Sequence, residues 1–214
     1  MIKYSLEELN PSDIAIYRIL IGALFINIFV RAKENIVKAD HVKIFIISFF
    51  WMALPFYMFG IAEQTITSSL AGMINGSTPI FVAFIAVVFY KLKVTKIQIL
   101  YIFTGFIGVG LISLSEGVSD ISFDIGFLYA LIASISYGIA VNMGEPLIKK
   151  YDSLIVIKIV IRYALLLSLI MLGSTASFKL PTAEVSLIPM LILGIGGTGL
   201  AFLTYYKLLE SVGR

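Results

Sequence analysis

Seven long apolar stretches fill this chain almost end to end, and its basic residues gather in every second connection between them. Asp13 to Val30, Ile44 to Ala62, Thr65 to Tyr90, Ile97 to Ser115, Ile125 to Met143, Leu154 to Gly173 and Leu187 to Tyr206 each approach the length that spans a bilayer, about 20 residues for about 30 Å of hydrocarbon. No water is available there to satisfy backbone N–H and C=O groups, so each span must close its own hydrogen bonds as a helix. With 59% hydrophobic residues among 214, a water-soluble globular fold has nowhere to hide its apolar surface. Period-2 alternation broken by regular turns, the mark of a membrane β-barrel, is absent. The fold class read from the sequence is all-α: a polytopic membrane protein with seven transmembrane helices.

Charge placement orders the spans. Arg31, Lys33, Lys38 and Lys43 follow the first span; Lys91, Lys93 and Lys96 follow the third; Lys149 and Lys150 follow the fifth; Lys207 and Arg214 follow the seventh. The opposite, acidic end holds Glu7, Glu8, Asp13, Glu116, Asp120, Asp124 and Glu184 with only Lys3 and Lys179. The positive-inside rule makes the basic end cytoplasmic, the C-terminus cytoplasmic and the N-terminus of the chain external, in a cell (cytoplasmic or inner) membrane. These charges need no nucleic-acid partner. Cysteine is absent, which excludes disulfides and thiolate chemistry. The single histidine, His41, reads as a solvated residue of a charged loop. No metal site, phosphate-cradling glycine loop or other cofactor site is legible, so ATP does not drive the protein directly.

Two spans carry an arginine: Arg18 in the first and Arg162 in the sixth, about 144 positions apart. The same offset lays the second span, with Phe56-Tyr57 and Ala62, over the seventh, with Leu200-Ala201 and Tyr206. Weak self-similarity at long period is what duplicated transporter halves leave behind, and the charge map runs the Arg18 span and the Arg162 span in opposite senses. A unit of that length places the counterpart of the fifth span before Met1 and the counterparts of the third and fourth after Arg214. The expectation is the middle seven helices of a ten-helix, five-plus-five inverted repeat. Residues 1–119 form a first repeat lacking its first helix, and residues 120–214 a second lacking its last two.

The run Ile66-Thr-Ser-Ser-Leu-Ala-Gly-Met-Ile-Asn-Gly-Ser-Thr-Pro79-Ile-Phe-Val-Ala-Phe resembles the fourth helix of EamA-type members of the drug/metabolite transporter superfamily. Ile16-Tyr-Arg18, Gly105-Phe-Ile-Gly108-Val-Gly-Leu, Ala133-Ser-Ile-Ser-Tyr137-Gly-Ile-Ala140, and Tyr205-Tyr206 before Glu210-Ser-Val-Gly213 are similar to the same family in order and spacing. One departure is plain: Leu92-Lys93-Val94-Thr95 lacks the acidic residue usual after that fourth helix. The resemblance implies a permease that alternates access around a central cavity where two inverted halves meet, moving an amino acid, another metabolite or a small toxic compound. Its partners would be that small molecule and the bilayer, with a homodimer left open.

The residues of the spans supply candidate cavity groups. Asn75 places an amide near mid-bilayer, which is costly without a partner or a wet cavity. Trp51 lies well inside the second span, where an interfacial aromatic belt does not account for it. Tyr137 suits either a substrate or a bundle core in which its hydroxyl is bonded. Arg18 either snorkels outward or meets substrate, and Arg162, one turn beyond Lys158, either attracts anions or shapes a vestibule. Ser68, Gly72, Asn75, Gly76 and Pro79 form a stripe expected to face protein, with Ser68, Gly72 and Gly76 packing against a neighbour and Pro79 kinking or hinging the helix. The spans lack a central Asp or Glu, since Glu63 and Glu145 lie at helix ends, so no carboxylate proton relay is evident.

Other classes fit less well. A retinal protein needs a mid-span lysine, an intramembrane hydrolase needs a paired nucleophile, and neither is present. A complete seven-helix facilitator would have parallel repeats. A complete seven-helix small facilitator, or a membrane receptor or structural protein without transport activity, is the remaining alternative.

Overall fold

The computed structural model describes residues 1–31, 36–93, 95–115, 125–182 and 185–212, the side chains of 101–102, 105–106, 109–110, 112–115, 209–210 and 212 excepted. Lys33, Val94, Glu116, Asp120, Asp124, Glu184, Gly213 and Arg214, together with the side chains of Glu210 and of 105–106 and 109–110 in the Gly105 to Leu111 motif, lie outside what the structure describes. Among the described residues every regular element is helical: α1 (Ile2–Ser5), α2 (Pro11–Phe29), α3 (Lys38–Ser48), α4 (Leu54–Thr65), α5 (Ser68–Gly76), α6 (Thr78–Tyr90), α7 (Lys96–Ser115), α8 (Ile125–Lys150), α9 (Ser153–Leu172), α10 (Leu187–Leu191) and α11 (Ala201–Val212). Two wide, π-helical stretches, π1 (Phe49–Ala53) and π2 (Ile192–Leu200), join α3 to α4 and α10 to α11.

Six continuous helical stretches among the described residues are long and apolar enough to cross a membrane: Pro11–Phe29, Lys38–Thr65, Ser68–Tyr90, Ile125–Lys150, Ser153–Leu172 and Leu187–Leu208. The 20-residue α7 coincides with the expected fourth span. The protein is a multi-pass membrane protein, and exposed Leu24, Ile28, Phe29, Phe84, Phe89 and Ile170 are what helices facing lipid present. The second span starts at Lys38, earlier than expected. His41 is therefore part of α3 and not a solvated loop residue: its Nδ1 lies 2.8 Å from Tyr163 Oη of α9.

Local chemistry sets the breaks. Asn10 caps α2 by accepting from Asp13 N at 2.8 Å, with Pro11 at the first helical position, where a missing N–H costs nothing. Pro55 cannot donate to the carbonyl of Trp51 one turn earlier and its ring crowds that carbonyl, and the helix widens there into π1. Pro79 interrupts the third span in the same way, ending α5 and starting α6 around Ser77.

The packing sense follows from side-chain contacts. Ser12 Oγ at the start of α2 lies 2.7 Å from Thr175 Oγ1 just beyond α9, while Asn27 near the end of α2 accepts from Arg162 Nε at 2.8 Å. As α2 numbering rises α9 numbering falls, so the Arg18 and Arg162 helices are antiparallel, as the charge map requires. By contrast α8 runs parallel to the third span: Ser134 Oγ donates to Ile74 O at 3.0 Å and Asn142 Nδ2 to Val82 O at 3.0 Å. Between these bonds a Cβ on Gly138 would meet Phe81 at 3.0 Å, so only glycine permits this approach. The largest apolar core joins Ile16, Ile19, Met52, Phe56, Ile157 and Tyr206.

Candidate functional site

The widened turn π1 directs Trp51 into the bundle, where it is 3% exposed. Its ring lies 5.5 Å from that of Tyr205, 5.4 Å from Tyr206 and 6.0 Å from Phe202, all on α11. Tyr137 of α8 stacks on Phe59 of α4 at 6.2 Å. Trp51, Thr78, Tyr137, Val141, Phe202 and Tyr205 line one cleft of about 250 Å³. Thr78, Val141 and Tyr205 also line an adjoining groove of about 630 Å³ that reaches Lys93 and Gln98 at the basic end. The aromatic cleft and this groove thus share three lining residues.

Among the described residues no Asp, Glu, His, Lys or Arg lines the cleft, so its polar groups are few and specific. The Thr78 hydroxyl is buried without a hydrogen-bond partner among the described residues. Its natural acceptor, the carbonyl of Ile74 one turn back, already receives Ser77 Oγ and Ser134 Oγ. Tyr206 Oη is likewise buried and unpartnered among the described residues. A buried hydroxyl left unsatisfied costs about 1–3 kcal/mol, so Thr78 is poised to gain from any bound polar group.

Arg18 does not snorkel outward. Its Nε donates to Thr198 Oγ1 at 2.9 Å, an Nη donates to Gly197 O at 3.1 Å, and the guanidinium carbon sits 3.8 Å from the centre of the Phe56 ring. The cation therefore braces π2 from behind the aromatic wall. Glycines make this possible: a Cβ on Gly22 would meet Thr198 Cγ2 at 2.8 Å, and one on Gly194 would meet Ile21 at 2.5 Å. Glu63, which reads from sequence as a mere helix-end residue, is 7% exposed and accepts from Ser68 Oγ at 2.6 Å.

Of the five sequence-derived binding residues, Trp51 and Tyr137 share the cleft, and Arg18 stands behind it. Arg162 is exposed and held by Asn27, away from the aromatic wall. Asn75 is exposed on α5, and so are Ser68, Gly72 and Pro79, with Gly76 half-buried. The buried stripe of α5 is instead Leu70, Ala71 and Ile74, which packs against Ala130 and Ala133 of α8. Around Gly72 no described atom lies within 4 Å of where a Cβ would stand. The helix break that Pro79 implied is present. Sequence reasoning missed Phe202, Tyr205 and Thr78 as lining residues, although Tyr205-Tyr206 and the threonine beside Pro79 sat inside the motifs that carried the resemblance.

Comparison with known proteins places this architecture. A solved crystal structure superposes on 98% of this chain and 75% of its own with a TM-score of 0.71 at 12% identity, a likeness of fold. An "uncharacterized transporter" of Archaeoglobus fulgidus is 25% identical over 98% of this chain and 74% of its own length. A second "uncharacterized transporter", from Bacillus subtilis, is 27% identical over 70% of this chain, which spans about half (49%) of that relative. Residues 1–114 match the model of the EamA-like transporter family, more than half of the 214. With its helical bundle, its transporter relatives and that match, the chain belongs to the EamA-like transporter family.

Proposed function

We propose that the aromatic cleft is the substrate site of a permease for a small metabolite, worked by alternating access and without catalysis. The observation that carries this reading is the continuity of the cleft at Trp51 and Tyr137 with the groove at Lys93 and Gln98, through shared Thr78, Val141 and Tyr205. At about 250 Å³ the cleft is smaller than the roughly 300–1,000 Å³ typical of drug-sized ligands. Its walls suit a small molecule with a planar or apolar body and few polar groups, such as an amino acid with an apolar side chain. Asn75 and Arg162 enter the reading as groups exposed to the pathway in other states of the cycle, and Pro79 as its hinge.

Two inverted halves, residues 1–119 and 120–214, are part of the proposal. The wide turns support it, because a shift of about 144 positions carries π1 into π2. So does the exchange of neighbours: α2 packs on π2 while α9 packs on π1, and α1 packs on α10 while α8 packs on α3. A two-fold axis in the membrane plane produces such an exchange. With the basic end cytoplasmic, the groove faces the cell interior.

Trp51 is the only tryptophan of the chain, so its fluorescence reports on the cleft directly. Titrating amino acids and small aromatic compounds onto the purified protein should give a saturable emission change for the true substrate. That change should weaken about tenfold in Thr78→Val, the loss of one hydrogen bond to a buried hydroxyl. Proteoliposome flux of the same compound should fall with Tyr137→Ala. Unaltered flux in a Tyr137→Ala, Phe202→Ala chain would remove the cleft from the transport path.

A further inference from the structure

At the basic end a second cavity, of about 540 Å³, opens between the end of α2, the start of α9 and α11, with no lining residue in common with the aromatic cleft. Its charged lining is Arg31, Lys207 and Asp152, and its apolar lining includes Phe29, Leu154 and Leu203. Arg31, just past the end of α2, and Lys207, on α11, lie far apart in sequence, and both are exposed. Asp152 is already engaged: it caps α9 by accepting from Leu154 N at 2.7 Å. A carboxylate at a helix start is partly offset by the dipole there, and Arg31 and Lys207 outnumber it, so the net charge of the lining is positive.

Lys158 and Arg162 follow Leu154 at successive steps of four along α9, about 6 and 12 Å further in. Asn27 Oδ1 accepts from both Nε and an Nη of Arg162, and Asn27 Nδ2 is itself tied to Ala23 O at 2.8 Å. Arg162 is thereby held in place with its exposure intact. Beside it, Ile28 (65% exposed) and Phe29 (68% exposed) offer an apolar flank.

We infer that this cavity binds the phosphate of an anionic phospholipid, the headgroup held between Arg31 and Lys207 and the acyl chains lying along Phe29 and Leu154. Cations at the membrane rim with an apolar wall below them match both halves of such a lipid, and a free phosphate would use only the first. The site stands apart from the aromatic cleft and does not rest on the transport reading.

The test is saturation binding, by native mass spectrometry, of phosphatidylglycerol and phosphatidylcholine to the purified full chain. One phosphatidylglycerol should bind saturably, about tenfold or more tighter than phosphatidylcholine, given about 1 kcal/mol per cation near the headgroup plane. Arg31→Gln with Lys207→Gln should abolish that preference, whereas Lys38→Gln with Lys91→Gln, the same charge removed elsewhere on this end, should leave it. Arg31→Lys with Lys207→Arg should retain binding, and Asp152→Asn, which still caps α9, should tighten it. Equal binding of the two lipids, or equal loss in the two double variants, overturns the site. Displacement of the lipid by inorganic phosphate at matching concentration would reassign it to a soluble anion. Preference for phosphatidylethanolamine, lost in Asp152→Asn, would reassign it to a zwitterionic headgroup.

Discussion

The antiparallel α2–α9 pair is sealed over one half and open over the other. Toward the acidic end Asp13, 1% exposed, accepts from Phe178 N at 2.9 Å and from Ser177 Oγ, Asn10 Nδ2 donates to Thr175 O at 3.1 Å, and Arg18 braces π2. Toward the basic end the same two helices meet through Asn27 and exposed Arg162, and then part around a cavity of about 540 Å³. Each of the two helices carries one arginine, yet Arg18 is a buried brace and Arg162 is exposed and held by Asn27. A half-buried span tolerates an arginine by either route, and the choice between them decides whether that end of the pair is structural or available to ligands.

Removing the brace should have the largest effect. Arg18→Ala loses two charge-assisted hydrogen bonds and the stacking on Phe56, and is expected to cost about 3 kcal/mol in reversible unfolding by denaturing detergent. A cost indistinguishable from that of Arg162→Gln would erase the contrast between the two halves. Next is Asp13→Ala, which leaves Phe178 N without its acceptor; about 2 kcal/mol is expected in the same titration. Arg162→Gln should stay below about 1 kcal/mol, as exposed polar pairs do, and a larger loss would make the basic half structural too.

The smallest effect concerns Glu8, which accepts from Thr182 N at 3.0 Å, Thr182 Oγ1 at 3.1 Å and Ser186 Oγ and faces Lys179 Nζ at 3.8 Å. The hydrogen bond from Ser186, followed by that from Thr182, holds its carboxyl below the ordinary value of 4.5. The folded state therefore binds this proton less readily than the unfolded one. Its contribution is complete above the ordinary carboxylate range and fades as pH falls through the lowered folded value. The detergent midpoint followed from neutral pH into acid should show that decline in the native chain, and Glu8→Gln should flatten it. An unchanged profile in Glu8→Gln would mean that the acidic-end seal does not depend on this carboxylate.

What the sequence determined by itself follows from one-dimensional constraints. Hydrocarbon thickness sets the length of an apolar run, charge asymmetry sets its sense, and proline removes a donor wherever it stands. The spans, the opposed Arg18 and Arg162 helices and the interruption before Pro79 were therefore legible residue by residue. Trp51 and Tyr137 were legible as rings that meet neighbouring helices for a related reason, since large amphipathic rings deep in a span need a protein partner.

Tertiary structure alone decided which face of each helix turned inward. Small polar residues on α5 suggested an inner stripe, but Leu70, Ala71 and Ile74 took that place because α8 presents Ala130, Ala133 and the Ser134 hydroxyl, which fit small apolar neighbours and the Ile74 carbonyl. Thr198, Arg162 and Tyr163, which bond Arg18, Asn27 and His41, lie more than a hundred positions from them, in elements brought alongside only by the fold. In a membrane, both faces of a helix can be apolar, so hydrophobicity cannot choose between lipid and core; close packing at glycines and a few interhelical hydrogen bonds make the choice, and these exist only once the bundle is assembled.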